Sequence, residues 1–272
     1  MTLSDRTTRF RSLHDRAAGR ILVLPNAWDA MSARVIEQAG ATALATTSAG
    51  VSWALGRPDG HGATRDDVLA VVRRIVGAVT VPVTADVEGG YDDVAATVRG
   101  VIAAGASGIN LEDSPGRNDA PLLEPAEQVA RIAAARAAAE DSGLFINART
   151  DVYLQQVGPE SGRVEETVRR AKAYAEAGAD GLFVPGLVEP EAIRRIAAAV
   201  SLPLNIMAHA GAPSTGELAK LGVARVSVGP MITLGAMAYI RRAAAELLGE
   251  GTYRSLTDIM PYAEANGMFG RM

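Results

Sequence analysis

Short apolar runs rich in Val, Ile and Leu recur along the chain, and each is followed by a longer stretch of mixed polar and apolar residues. The runs are ILVL (21–24), ATALAT (41–46), VPVTAD (81–86), SGINLE (107–112), LFINAR (144–149), DGLFV (180–184), LPLNI (202–206) and ARVSV (224–228). Runs of this length and composition, bounded by turn residues, are typical of buried strands. The pattern therefore predicts eight strands.

The longer stretches, such as TRDDVLAVVRRIVGAV and EETVRRAKAYAEAG, repeat apolar residues at intervals of three and four, and several end in glycine. This spacing and the terminal glycine predict amphipathic helices. Strands that alternate with such helices indicate an α/β protein with a parallel sheet, and eight repeats suit a closed (β/α)8 TIM barrel. A doubly wound sheet is the alternative, but it more often has fewer strands and a GxGxxG turn, which this chain lacks.

Two further helices are expected outside the repeats. One is an N-terminal helix over about residues 4–18, and the other is a C-terminal helical tail over about residues 253–264. No linker or change of composition divides the chain, so we expect a single barrel domain over residues 1–272.

Composition narrows the functional classes. The net charge of −4, without a Lys/Arg cluster, argues against a nucleic-acid partner. The absence of cysteine excludes disulfides, thiolate metal sites and a cysteine nucleophile. The polar N-terminus and the lack of a long apolar run predict a cytoplasmic protein without a membrane span. Both lysines, Lys172 and Lys220, fall in helical patterns, which makes a Schiff-base mechanism unlikely.

Charged residues gather where three consecutive predicted strands end. The segments ADVEGG, NLEDSPG and NARTD supply Asp86, Glu88, Glu112, Asp113, Arg149 and Asp151. In a barrel these strand ends meet at one rim, where carboxylates repel one another unless a cation or an arginine lies between them. Each acid taken singly is better explained as a helix cap or a solvated charge. Together they favour a hard divalent ion with oxygen ligands, which is typically Mg2+.

Other strand ends supply weaker candidates. Arg149 follows a buried run and suits either a structural ion pair or a clamp for a substrate carboxylate. The turn TTSAG (46–50) offers a hydroxyl and backbone N–H groups that can bind a carboxylate. The loop VSWALGRPDGHG (51–62), which carries Asp59, is either a lid over the site or a plain surface loop.

The seventh strand and the turn after it, LPLNIMAHAG, add Asn205 and His209 as candidate substrate-binding residues. A lone histidine is more often a hydrogen-bonded structural residue than a catalytic one. No two histidines have the spacing of metal ligands, which disfavours a zinc hydrolase.

The sequence resembles the isocitrate lyase / phosphoenolpyruvate mutase superfamily over essentially its full length. The segments that carry the resemblance are LPNAWDAMSARVIEQAGATALATTSAGVSWALGRPDG, VPVTADVEGGYDD, GINLEDSPG, INARTD and GADGLFVPG. The acid motif of that family is D-x-D-x-G-[YFW]-G, and DVEGGYD matches it with Glu88 in the second acid position.

The resemblance implies a barrel that uses Mg2+ (Mn2+ is possible) and acts on α-oxo or α-hydroxy acids through an enolate beside a pyruvate unit. It implies Asp86 as the direct metal ligand, with Glu88 and Glu112 bound through waters. Ser48, Ala49 and Gly50 correspond to the segment that holds the substrate carboxylate. Asp59 corresponds to the acid of the gating loop and Arg149 to an arginine facing the substrate, so that Ser48, Asp59 and Arg149 are the expected catalytic residues.

The chain departs from the family pattern at several positions. The loop after the fourth strand lacks the K-[KR]-C-[GS]-H motif of the lyases, whose cysteine is a general acid, and offers only Arg117 and Asn118. Ala49 stands in place of a usual glycine, and Pro185 stands where the lyases tend to have an acid. A reaction that needs the cysteine, such as isocitrate or methylisocitrate cleavage, is therefore disfavoured.

We accordingly expect a Mg2+ enzyme that cleaves or rearranges a C–C or P–C bond in a small α-oxo acid. Oxaloacetate-decarboxylase-like, phosphonopyruvate-processing and carboxyphosphonoenolpyruvate-processing reactions fit best. The alternatives are a ketopantoate-type hydroxymethyltransferase and a non-catalytic barrel that binds an oxo acid with Mg2+.

The resemblance also implies a homo-oligomer, specifically a homotetramer, and we expect the C-terminal helix to pack on a neighbouring subunit, because apolar residues of the tail need burial after the eight barrel units are complete. These residues are Tyr253, Leu256, Ile259, Met260 and Tyr262. Packing of the tail on its own barrel is the alternative.

Overall fold

The structure is a computed structural model that describes residues 2–15, 21–60, 62–115 and 120–269. Within these residues the strands are β1 (Leu22–Leu24), β2 (Asn26–Ala27), β3 (Leu44–Thr46), β4 (Val83–Asp86), β5 (Gly108–Glu112), β6 (Phe145–Arg149), β7 (Gly181–Val184), β8 (Leu204–Met207) and β9 (Arg225–Ser227). The helices are α1 (Leu3–Ser12), α2 (Ala30–Gln38), α3 (Ser48–Ala54), α4 (Arg65–Ala78), α5 (Val94–Ala103), α6 (Pro125–Ala139), α7 (Arg163–Glu176), α8 (Pro190–Ala199), α9 (Thr215–Lys220), α10 (Met231–Gly249) and α11 (Tyr262–Gly267).

All strands are parallel and form one sheet in the order β1-β9-β8-β7-β6-β5-β4-β3-β2. The first predicted strand, residues 21–24, corresponds to β1, and the chain continues beyond it through Pro25, which has no N–H to give to the ladder, into the short strand β2. The first strand position of the barrel is thus divided in two. Because β1 pairs with β9 and β2 pairs with β3, this divided strand brings the sheet round into a nearly closed barrel. The eight predicted strand positions and the barrel are confirmed.

Side chains alternate along each strand between the helices outside and the barrel interior. Ile109, Leu111 and Ile146 are fully buried against the helices. The interior at the N-terminal end of the strands is apolar, because Phe10 of α1 packs there with Leu22, Leu24, Ala43, Ala45 and Phe145. We call this end of the barrel the floor and the opposite end, where the strands finish, the rim.

The helices begin and end where the sequence signals them. Thr64 caps α4 through a capping box with Asp67, and Ser214 caps α9 through a capping box with Glu217. Six of the described helices are followed, two residues after their last residue, by a glycine with positive φ: Gly40, Gly56, Gly105, Gly178, Gly222 and Gly251. Gly40, Gly105, Gly178 and Gly222 are terminal glycines that the sequence predicts.

The N-terminal helix exists, but the predicted range is too long. Helix α1 ends at Ser12, and residues 16–20 lie outside the described part of the chain. Its N-terminus is set by a capping box between Thr2 and Asp5.

The C-terminal prediction is wrong in its bounds. A 3-10 turn covers Arg254–Leu256, and α11 starts only at Tyr262, directly after Pro261. Proline at the start of a helix is favourable, and it disfavours a helical conformation in the preceding residue. A single helix through residues 253–264 is therefore prevented.

Helix α10 differs from the other barrel helices. The sequence predicts it correctly as the helix after the last strand, yet Thr233 is its only buried residue among those described. Large apolar side chains along it are exposed, including Ile240 at 64% and Leu248 at 86%. Within the described residues, no helix combines the length and hydropathy needed to cross a membrane.

Candidate active site at the rim of the barrel

The rim gathers charged side chains from three adjacent strands. Asp86, Glu112 and Arg149 are the last residues of β4, β5 and β6, and Glu112 pairs in register with Arg149. Asp86 and Glu112 are each only 8% exposed. The parallel register thus brings together the residues that the sequence predicts to meet.

Arg149 lies between the carboxylates. Its Nη1 is 2.7 Å from Oε2 of Glu112 and 3.9 Å from Oδ2 of Asp86. Its Nε and Nη2 donate to the two carboxylate oxygens of Asp151, at 2.6 and 2.9 Å. The guanidinium also lies 5.7 Å from the centre of the Phe183 ring, so its position is fixed on several sides.

The charges at the rim are not balanced. Burial raises the pKa of Asp86 and of Glu112, and the positive charge of Arg149 only partly opposes that increase. Burial lowers the pKa of Arg149, but Glu112 and Asp151 outweigh it and hold that pKa well above its ordinary value. The carboxylates of Asp86, Glu112 and Asp151 lie 2.6 to 3.9 Å from the Arg149 guanidinium, and the charge of the buried Glu88 also acts on Glu112. These four acids and one guanidinium have a formal excess of three negative charges.

Glu88 is held by a tight turn. It has a positive φ of 51°, which is uncommon for a residue other than glycine and costs conformational energy. Its N–H donates to Oδ1 of Asp86 at 3.1 Å, and its carbonyl accepts from the N–H of Glu112 at 2.9 Å. The turn therefore ties together the three acids that the sequence identifies as metal ligands.

Tyr91 follows in the same turn, also with positive φ, at 59°. Burial is the main cause of its raised pKa, and the charges of Glu88 and Asp86 add to it. Its phenol is therefore neutral at physiological pH and lies within the field of the acids.

Asp113 does not join the acid cluster, contrary to the sequence prediction. Its Oδ2 accepts from the hydroxyl of Tyr174 at 2.7 Å and from Nη1 of Arg170 at 3.1 Å. Its Oδ1 accepts from the N–H of Asp151 at 3.0 Å. Because Glu112 points inward, the next residue points outward, and Asp113 supports Asp151 from behind.

The TTSAG turn is the end of β3 followed by the first turn of α3. The first helical hydrogen bond runs from the N–H of Val51 to the carbonyl of Thr47, so the N–H groups of Ser48, Ala49 and Gly50 precede it. Such N–H groups attract a carboxylate. The hydroxyl of Thr46 accepts from the N–H of Asp86 at 2.8 Å and joins this turn to the acid cluster.

Gly50 is required by close packing. A Cβ at this position would lie 2.7 Å from Oγ1 of Thr233 and 2.9 Å from Cβ of Trp28. Ala49, by contrast, is accommodated with its side chain buried.

The loop that carries Asp59 is shorter than predicted, because α3 continues to Ala54. Asp59 itself is exposed. Burial accounts for most of the raised pKa of Asp86, and the charge of Asp59 adds to the increase. Asp59 therefore lies close enough to influence the rim electrostatically.

Neither candidate from the seventh predicted strand reaches the acid cluster. Asn205 is fully buried in the barrel interior, where it donates to Oγ of Ser227 at 3.2 Å and accepts from Asn147 at 3.2 Å. His209 is exposed, and its Nδ1 accepts from the N–H of Gly211 at 3.1 Å. It lines an apolar groove with Val23 and other residues outside the barrel.

A polar layer lies below the rim, and Asn205 is the only one of its four members that the sequence predicts as a site residue. Asn110, Asn147, Asn205 and Arg225 point into the barrel and are at most 3% exposed. The runs GINLE, FINAR and PLNIM each place an asparagine two residues before their last residue. Alternation along a strand puts that asparagine on the same face as the residue at the rim, so this signal could have revealed the layer.

The donor set suits a hard cation. As the described side chains stand, no three acids or histidines converge as a set of direct metal ligands. Mg2+ commonly retains several waters and takes only one or two carboxylates directly, so one direct acid with two acids behind waters is chemically sufficient. The excess of negative charge and the purely oxygen donors fit such an ion at Asp86, Glu88 and Glu112.

The chain is similar to several known proteins. The family model of phosphoenolpyruvate phosphomutase matches residues 10–248. The 2-methylisocitrate lyase of Escherichia coli (strain K12) is 33% identical over 251 residues, which cover 85% of this chain and 81% of the relative.

Solved structures share the whole fold. A candidate phosphonomutase from Burkholderia cenocepacia J2315 is 47% identical with a TM-score of 0.83, over 88% of this chain and 99% of that one. A phosphonopyruvate hydrolase solved with oxalate and Mg2+ is 26% identical with a TM-score of 0.85, over 98% of this chain and 95% of that one. The chain therefore belongs to the phosphoenolpyruvate mutase family, within the isocitrate lyase / phosphoenolpyruvate mutase superfamily of lyases and phosphomutases.

Proposed function

We propose that the protein is a Mg2+-dependent enzyme that cleaves or rearranges a C–C or P–C bond next to the pyruvate unit of a small α-oxo acid. The observation that carries this proposal is the group of buried acids at the rim: three carboxylates contact the guanidinium of Arg149, and Glu88 adds a fourth buried acid in the same turn as Asp86. An assembly of like charges this tight is unfavourable by itself and becomes favourable with a divalent cation.

The residues of the rim would have two roles, one toward the metal ion and one toward the substrate. Asp86, Glu88 and Glu112 would hold the ion, which when bound supplies positive charge beside an oxygen that becomes an enolate oxygen. Stabilisation of that kind acts mainly in the transition state, where the negative charge develops.

The organic part of the substrate would be held by this chain's own groups. The N–H groups of Ser48, Ala49 and Gly50, with the Ser48 hydroxyl, would bind the substrate carboxylate. Arg149 would donate to a substrate oxygen while Asp151 keeps the guanidinium oriented. Asp59, which lies on the loop after α3, would contribute to the rate of turnover.

The absence of cysteine guides the choice of reaction. The loop that carries the lyase cysteine elsewhere in the superfamily includes Arg117 and Asn118, which lie outside the described residues. A reaction that needs no thiol acid is favoured, namely decarboxylation of oxaloacetate or processing of phosphonopyruvate or carboxyphosphonoenolpyruvate.

A substrate panel tests the proposal. Oxaloacetate, phosphonopyruvate, carboxyphosphonoenolpyruvate and 2-methylisocitrate would each be assayed with Mg2+, with Mn2+ and with EDTA. We expect metal-dependent turnover of one of the first three and none of 2-methylisocitrate. Oxo-acid binding without turnover would favour the non-catalytic barrel. Folate-dependent transfer of a hydroxymethyl group to C3 of 3-methyl-2-oxobutanoate, with ketopantoate as the product, would favour the hydroxymethyltransferase.

An oxalate titration tests the site separately from the reaction. Oxalate resembles the pyruvate enolate, and the acids should repel it unless Mg2+ is present. Arg149→Lys should weaken oxalate binding by about 10- to 100-fold, because an ammonium cannot replace the planar two-point contact. Ser48→Ala should weaken it less. Tight oxalate binding in EDTA, or equal affinity in all three proteins, would mean that the site is elsewhere.

We also propose that the protein assembles into a homo-oligomer, a homotetramer by analogy with its superfamily. Val23, an outward-facing residue of β1, is 42% exposed, although outward positions of a closed barrel are normally covered by a helix. Helix α10, which follows the last strand, leaves its apolar residues exposed instead of covering this strand. A second copy's α10 over β1 would remove both exposed apolar surfaces.

Light scattering at micromolar concentration tests the assembly. We expect an oligomer for the wild type and smaller species for Ile240→Glu and Val23→Glu. Ala133→Glu is the control, since it adds the same charge on the exposed side of α6, whose opposite side is already buried. A monomeric wild type would contradict the proposal.

A further inference from the structure

Arg225 is a buried cation inside the barrel that the proposed reaction does not use. It belongs to β9, is 1% exposed and is among the largest fully buried side chains of the protein. Burial lowers its pKa to about 9, although Asp86 opposes this, so the guanidinium still carries its charge at neutral pH.

Stability alone does not explain this arginine. Its Nη2 donates to Oδ1 of Asn110 at 3.1 Å, but within the described residues Nε and Nη1 have no hydrogen-bond acceptor. A buried charge with so few partners is costly, and an apolar side chain of similar volume would often be as stable or more so. The single contact with Asn110 is therefore the informative one.

That contact fixes which way the Asn110 amide faces. Arginine can only donate, so the atom that it contacts must be the amide oxygen. The same oxygen also accepts from Nδ2 of Asn147 at 2.9 Å. With two donors on its oxygen, Asn110 must turn its NH2 group to another side.

The register of the sheet leaves the side of Asp86 for this NH2 group. Asn110 is the register partner of Asp86 on the neighbouring strand, and both side chains point into the barrel. Burial raises the pKa of Asp86, whereas the hydrogen bond from the side chain of Asn110 is among the interactions that lower it. A flipped amide would present its oxygen to the carboxylate and would repel it.

We propose that Arg225 is a positioning residue for Asp86, acting through Asn110 so that the amide NH2 group holds the Asp86 carboxylate in place for the metal. The orientation of the amide does not depend on the proposed function, whereas the consequence for metal binding rests on it. Partners of this kind, one step behind a metal ligand, typically change metal affinity by about 10- to 100-fold.

The orientation is tested first, without metal. In protein labelled with 15N-asparagine, the side-chain NH2 signals of Asn110 are assigned by their absence in Asn110→Ala. Arg225→Met should shift these signals and speed their hydrogen exchange by at least about tenfold, because the amide loses its fixed orientation. Arg225→Lys and Arg225→Gln, which keep a donor, should restore much of the protection.

Asn147→Ala supplies a second route to the same result if Arg225→Met does not fold. It removes the other donor to the Asn110 oxygen and should shift the same signals in the same direction, by less. Unmoved Asn110 signals in a folded Arg225→Met, or in Asn147→Ala if Arg225→Met does not fold, would overturn the proposal.

Metal binding is tested second, by titration with Mn2+ followed by electron paramagnetic resonance. Arg225→Met should bind Mn2+ about tenfold more weakly than the wild type. The loss should not add to that of Asn110→Ala in the double variant, because both act through one contact. Arg136→Met is the control, since Arg136 contacts Gly178 and Asp180 on the floor side.

The outcomes separate the two proposals. A wild type that binds no Mn2+, with the expected Asn110 shifts, would reject the proposed metal function and leave the amide orientation standing. Unchanged Mn2+ affinity in Arg225→Met, in a protein that binds Mn2+, would reject the role of Arg225 for Asp86 and leave the proposed function standing.

Discussion

Asp86 and Asp180 are aspartates at opposite ends of the same barrel, and their surroundings differ in charge balance. At the floor, Asp180 accepts from Nη2 of Arg11 at 2.8 Å and from the N–H of Ile146 at 2.9 Å, and it also pairs with Arg136. Two guanidinium groups thus face one carboxylate. At the rim, the guanidinium of Arg149 faces the carboxylates of Asp86, Glu112 and Asp151, and Glu88 adds a fourth buried acid.

This difference in charge balance indicates that the floor is optimised for stability and that the rim is not. The floor gives its carboxylate more than one cationic partner and fills its interior with Phe10 and Phe145, whose rings contact edge to face at 5.7 Å. The rim holds like charges together and includes a residue, Glu88, with positive φ. Barrel enzymes place their chemistry at the end where the strands finish, and the unbalanced rim is consistent with that rule.

The largest expected effect comes from removing one acid at the rim. Asp86→Asn should lower Mg2+ or Mn2+ affinity by at least about 100-fold, because it removes the charge of the proposed direct ligand. The free energy of unfolding without metal should stay the same or rise, because one of four repelling carboxylates is neutralised. Calorimetry and urea unfolding in EDTA measure the two quantities. Unchanged metal affinity would contradict the assignment of Asp86.

The same substitution at the floor should lower the free energy of unfolding and leave metal affinity unchanged, which is the reverse of the result expected at the rim. Asp180→Asn leaves Arg11 and Arg136 without their carboxylate and should lower the free energy of unfolding by about 2 kcal/mol. We expect a value at the low end of buried pairs, because the Arg11 side chain is 38% exposed and solvent screens it. Metal affinity should not change. An Asp180→Asn variant of full stability would remove the contrast between the two ends.

Much of the fold could be predicted because it depends on local patterns. Short apolar runs locate the strands and patterns of period 3.6 locate the helices, and terminal glycines such as Gly40 mark helix ends. The meeting of Asp86, Glu112 and Arg149 follows from parallel strands alone. The prediction that Asp113 joins the acid cluster is wrong, because the alternation of side chains between the two faces continues past the last residue of the strand and turns Asp113 outward.

Other features depend on contacts between distant segments, which the local pattern does not contain. Helix α10 is amphipathic enough to be predicted as a helix, yet nothing local shows that it leaves Val23 exposed. His209 follows its strand as a site residue would, but it lies in a groove outside the barrel. The pairing of Arg225 with Asn110 joins residues more than a hundred positions apart.

The stability of the floor and that of the rim should respond to pH in opposite directions, and His14 determines the response of the floor. Its ring stacks on Phe145 with centroids 4.0 Å apart, and its Nδ1 is 2.8 Å from the Phe10 carbonyl. Burial lowers its pKa to about 3, and the charge of Arg225 contributes. The ordinary pKa of histidine is near 6.5, so below that pH the unfolded chain takes up a proton that the folded protein resists. At the rim, by contrast, burial raises the pKa of Asp86 and Glu112, which favours protonation in the folded state.

The smallest of the three predictions uses this difference in sign. The contribution of His14 to stability is complete above pH 6.5 and is lost progressively as the pH falls toward 3. The slope should approach about 1.4 kcal/mol per pH unit within that window. His14→Phe keeps an aromatic ring against Phe145 without a titrating group. We therefore expect its free energy of unfolding, measured with urea in EDTA from pH 7 to 4, to fall less steeply than that of the wild type. Parallel curves for the two proteins would show that His14 accepts a proton in the folded state as readily as in the unfolded chain, and would place the acid sensitivity elsewhere.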